Sequence, residues 1–149
     1  MKRILLVSAL TYVISTGAFA NEQAASPGSH GNPGQVSRTI EITAVDNRFK
    51  PSEINVKQGE TIKFMLKNAG KKKHEMVITT PEELDEHAKM MKKFPDMEHS
   101  EPNMITVDPG KTGELIWQFT EAGTVNFECT LPGHLKEMRG TVLVEARAK

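Results

Sequence analysis

From Arg38 onward the chain alternates polar and apolar residues with a period of two. Thr39-Ile40-Glu41-Ile42-Thr43-Ala44-Val45 has the pattern of a strand with one face buried, and Glu53-Ile54-Asn55-Val56-Lys57 repeats it. Gln58-Gly59-Glu60 turns the chain into Thr61-Ile62-Lys63-Phe64-Met65-Leu66, and Asn68-Ala69-Gly70 marks the next turn. Glu75 to Thr79 predicts a strand with Met76 and Ile78 on one side. Further strands are expected at Met104-Val107, Glu114-Phe119, Thr124-Glu128 and Thr141-Val144. One segment changes period. Thr80 suits a helix N-cap, Pro81 the first helical position, and Glu83 completes a capping box. Leu84, Ala88 and Met91 then recur at helical spacing, Phe94 follows on, and Pro95 ends the run. Short strands at regular spacing predict an all-β sandwich or barrel with one helical insertion. The insertion, residues 80–103, is long for a connection, and such segments often carry function.

The first 20 residues follow another rule. Lys2 and Arg3 precede an apolar run from Ile4 to Thr16, and Ala18-Phe19-Ala20 forms a small-residue cleavage signal. This is the pattern of a secretory signal peptide, and the run is short for a membrane anchor. Residues 21–37, with Pro27, Gly28, Gly31, Pro33 and Gly34, have the composition of a flexible arm. His30 within it is expected to be a solvated tail histidine. The domain is then residues 38–149, in an exported, periplasmic protein cleaved near Ala20.

The chain has 19 basic and 19 acidic side chains. Loss of Lys2 and Arg3 leaves a net charge of about −2, which argues against nucleic acid as a partner. Cys129 is the single cysteine. In an oxidising compartment an unpaired cysteine is either inert and buried or a reactive thiol or metal ligand. Its surroundings favour the ligand. Cys129-Thr130-Leu131-Pro132-Gly133-His134-Leu135-Lys136-Glu137-Met138 places thiolate, imidazole and thioether at spacing C-x4-H-x3-M between two predicted strands. Pro132-Gly133 allows a sharp turn, so one loop can aim all three at one point. Soft sulfur ligands with imidazole suit copper, and two histidines, a cysteine and a weak axial methionine make a trigonal electron-transfer site. His74, at the start of an apolar strand after Lys71-Lys72-Lys73, is the best second histidine. Singly, Cys129 and Met138 would each read as core residues; the joint spacing is what singles them out.

These residues resemble the cupredoxins of the azurin, plastocyanin and auracyanin type, over most of residues 38–146. The resemblance implies a Greek-key β-sandwich holding one copper ion, Cu(I) or Cu(II), with His74, Cys129, His134 and Met138 as metal ligands. His74-Glu75-Met76-Val77-Ile78, the helical insertion and Phe94-Pro95-Asp96-Met97-Glu98-His99 resemble periplasmic cupredoxins linked to bacterial copper tolerance. In one respect the chain departs from the family pattern. Many cupredoxins carry Asn after the upstream histidine, where it braces the cysteine loop; here the residue is Glu75.

Met90, Met91, Met97, His99 and Met104, with His87 just before, form a second group of soft ligands, for an accessory site or for helix packing. The expected function is copper handling and tolerance, with copper redox cycling and a periplasmic redox or copper-transfer protein as partner. The alternative is one-electron transfer of the azurin type. The chain has five histidines and no His-x-His pair, so no catalytic turnover is expected.

Overall fold

Period-two alternation decides how the strands stack, because each apolar set can be buried only on one side of its sheet. A computed structural model describes residues 28–148 except residues 95, 96, 98, 99 and 135. The expected leader, the first part of the arm and His99 lie outside the described residues. The strands are β1 (Ser29–His30), β2 (Arg38–Val45), β3 (Arg48–Lys50), β4 (Glu53–Lys57), β5 (Thr61–Asn68), β6 (His74–Thr79), β7 (Met104–Val107), β8 (Thr112–Gln118), β9 (Gly123–Glu128) and β10 (Arg139–Glu145). Helix α1 (Pro81–Lys93) joins β6 to β7.

Two five-stranded sheets form, in the orders β1-β8-β5-β2-β3 and β4-β10-β9-β6-β7. The pairs β2–β5 and β4–β10 are parallel, and the other pairings are antiparallel. The chain therefore crosses repeatedly from one sheet to the other, as expected of a sandwich. Between them the inward residues merge into one core, with Ile42, Phe64, Leu66, Met76, Ile78, Phe119 and Val142 among its fully buried members. Phe49 and Phe127 bridge the two sheets with ring centroids 5.3 Å apart.

Three expectations need correction. The arm is not free from Gly28 onward: β1 pairs with β8, Ser29 opposite Gln118 and His30 opposite Trp117. The Gly31 N–H donates to the Ile116 carbonyl at 2.9 Å, and a Cβ on Gly31 would sit 2.6 Å from Thr61 Cγ2. That glycine allows close packing, yet in the sequence it has the composition of a linker. Second, β3 was not expected. Three residues are too few to show a period, although Phe49 is buried. Third, Phe94 does not continue the apolar stripe of α1; it is the C-cap residue and 56% exposed. The start of the helix forms as expected, with the Thr80–Glu83 capping box present.

Candidate metal centre

Strand parity aims the key side chains. In β6, His74 shares the inward face with Met76 and Ile78, while Glu75, Val77 and Thr79 face the other side. In β9, Val125 and Phe127 point inward, and Cys129, the residue after the strand, keeps the same parity. Cys129 is then tied down by its own N–H, which donates to the Met138 carbonyl at 2.9 Å. The loop between them folds on itself: the His134 N–H reaches the Leu131 carbonyl and the Met138 N–H reaches the His134 carbonyl. Gly133, at φ +90°, takes the left-handed conformation the turn requires.

These constraints bring His74, Cys129 and His134 together. One ligand atom from each lies within 4.8 Å of the others. Cys129 Sγ is 3.6 Å from His134 Nδ1, and the two imidazole centroids are 4.9 Å apart. His74 and Cys129 are fully buried, and His134 is 4% exposed. Met138 is also fully buried, in the same cluster as Cys129. The four residues singled out in the sequence thus occupy one end of the sandwich, three of them grouped by their ligand atoms.

His74 is held from outside. Its Nε2 lies 3.2 Å from Asp46 Oδ1, within hydrogen-bond reach, while Nδ1 is buried without a protein partner. Asn68, fully buried, organises the loop before it: Nδ2 donates to the carbonyls of Lys72 and Val107, and Oδ1 accepts from the Gly70 N–H. The backbone N–H of Lys71 and the His74 ring hold the Asp46 carboxyl below its usual range, against a smaller opposing effect of desolvation.

Burial pushes the Cys129 thiol up to about 11, although backbone N–H groups of Glu75 and Leu131 pull it down. Burial first, and then the neighbouring His74 ring and Lys72, lowers His134 and favours its neutral form. A buried nitrogen lone pair without a partner, a second imidazole and a buried sulfur make an incomplete hydrogen-bonding set but a coherent donor set for a soft ion.

Glu75 fills the bracing role in its own way. Its Oε1 accepts from the Thr130 N–H at 3.1 Å and from the Thr130 hydroxyl, next to Cys129. Helix α1 covers this carboxylate, placing His87 Nε2 3.9 Å from Oε1. The substitution of Asn by Glu therefore preserves a bond from β6 to the cysteine loop. Asp46, Asn68 and Thr130 were not singled out in the sequence, where Asp46-Asn47 has only the character of a polar turn.

The described members of the second group of soft ligands are largely dispersed. Met91 is buried with Leu84 on the packed side of α1, and Met97 is exposed. Met104 sits opposite Val77 in the sheet. Among the described members of the group, His87 and Met90 come together, lining a groove of about 330 Å³ with Glu83, Glu101 and Asn103. Among the described His, Cys, Asp and Glu residues the buried His-Cys-His group is the one with metal-binding proximity.

A Cupredoxin-like domain model matches residues 5–144. The chain belongs to the cupredoxin family. This cupredoxin is 39% identical over 130 residues to the copper-resistant cuproprotein CopI of Rubrivivax gelatinosus, covering 86% of this chain and 79% of that one. It is 34% identical to the protein of the same name from Pseudomonas aeruginosa, covering 89% and 91%. Its fold is similar to auracyanin A, a "blue" copper protein of Chloroflexus aurantiacus, with TM-score 0.60 and 23% identity over 72% of this chain and 98% of that one.

Proposed function

We propose that this cupredoxin binds a single copper ion, which His74, Cys129, His134 and Met138 would hold, and serves copper tolerance in the periplasm. The observation that carries the reading is the buried His74–Cys129–His134 group, preassembled by strand parity and the closed 129–138 loop. The name shared by the relatives from R. gelatinosus and P. aeruginosa supports the copper-resistance role. The apolar start at Ile4 to Thr16 and the Ala18-Phe19-Ala20 signal support export.

Cys129 gives up its proton on binding, and the two imidazoles bind neutral. Bound copper supplies a one-electron couple. The fold would hold these buried side chains in place around the ion, which would limit rearrangement between its oxidation states. That preassembly favours a second reading, a one-electron carrier. On either reading no turnover of an organic substrate is proposed.

The test is the visible and paramagnetic-resonance spectrum of protein loaded with Cu(II). One equivalent of copper and intense thiolate-to-copper absorption, lost in Cys129→Ser, are expected. Weak absorption unchanged by that substitution would defeat the reading. Gene deletion separates the two roles: impaired growth on copper supports copper handling, whereas normal tolerance with impaired respiration supports the carrier.

A further inference from the structure

We propose that Asp46 is a positioning residue of the metal centre, whose carboxylate fixes His74 as its Nε2–H tautomer and reserves Nδ1 for the ion. The inference rests on His74 being a ligand, the reading given above. A carboxylate accepts hydrogen bonds, so the ring nitrogen facing Asp46 must carry the proton. Neutral imidazole has one such proton, which leaves the lone pair on Nδ1, the atom buried without a partner. Partners of this kind orient metal-binding histidines and raise their basicity.

The contact is built by three segments. Asp46 and Asn47 form the two-residue turn between β2 and β3, with Val45 opposite Arg48 and Asn47 at φ 73°. The Lys71 N–H donates to Asp46 Oδ1 at 3.1 Å, anchoring the carboxylate against the loop that presents His74. The Ala69 N–H donates to the Ala44 carbonyl at 2.8 Å, joining that loop to the end of β2. Gly70 makes room: a Cβ there would lie 2.4 Å from Asp46 Oδ1 and 2.9 Å from His74 Nε2. Any side chain at residue 70 would push the carboxylate and imidazole apart.

The experiment uses the apoprotein first. Long-range nitrogen-15 NMR reads which His74 nitrogen carries the proton in wild type, Asp46→Asn, Asp46→Ala and Gly70→Ala. Wild type should be protonated at Nε2. Asp46→Asn keeps an acceptor oxygen and should keep that tautomer. Asp46→Ala and Gly70→Ala should mix the tautomers and weaken Cu(II) binding, measured by chelator competition, by roughly 10–100-fold. A wild-type ring protonated at Nδ1 overturns the proposal. So does an Asp46→Ala protein with wild-type ring state and affinity. If the ring responds as expected but wild type takes up no Cu(II), the copper reading fails, and the metal role of Asp46 with it, while the hydrogen bond itself stands.

Discussion

Glu75 offers a quantitative test of how the cysteine loop is held. It is 2% exposed, and one carboxylate oxygen accepts from both the N–H and the hydroxyl of Thr130, itself 3% exposed. Glu75→Ala leaves two buried donors without that acceptor, at about 1–3 kcal/mol each. The small cavity under α1 adds to this. A total loss of about 3–5 kcal/mol is expected, out of the roughly 5–15 kcal/mol typical of a domain. Glu75→Gln keeps one acceptor oxygen and should cost about 1–2 kcal/mol. The assay is urea unfolding of the apoprotein, followed by fluorescence of Trp117, the single tryptophan, which is buried in the core. A double-mutant cycle with Thr130→Val isolates the pair, and a coupling of about 1–3 kcal/mol is expected. Loss below about 1 kcal/mol in Glu75→Ala, or additive single substitutions, would refute the claim that this carboxylate ties β6 to the loop.

Other outcomes follow from single contacts. In Gly140→Ala the new methyl would lie 2.2 Å from Phe127 Cζ and 2.6 Å from the Ser52 carbonyl oxygen. Backbone resists that approach, so a loss of at least about 1–3 kcal/mol is expected by thermal unfolding. The apoprotein should lose stability at alkaline pH through Cys129. An unfolded thiol ionises near 9.0, the folded one near about 11. Below pH 9 both states keep the proton; above it only the unfolded state releases it, so stability falls as pH rises through this window. The difference between wild type and Cys129→Ser should change by on the order of 2–3 kcal/mol, and an unchanged difference would contradict the buried thiol. Cu(II) at 100 times its dissociation constant should stabilise the wild type by about 2.7 kcal/mol in calorimetry. Cys129→Ser should lose most of that gain.

Local rules carried the sequence a long way. Alternation alone located most strands, because a half-buried strand must repeat every two residues. The capping box located the start of α1. The Cys129–Met138 spacing was legible because three candidate ligands share one short loop, whose reach is set by chain geometry. His74 was legible more weakly, as a histidine at a strand start. Pairings without a local period had to come from the assembled structure. β1 forms only because the edge of β8 is there to pair with it, and β3 because Phe49 finds Phe127 across the core. Asp46 meets His74 across 28 positions of chain and Glu75 meets Thr130 across 55. Such contacts depend on which sheets stack and in what register. The residues therefore determine what chemistry is available, and the tertiary packing determines which hydrogen bonds orient it.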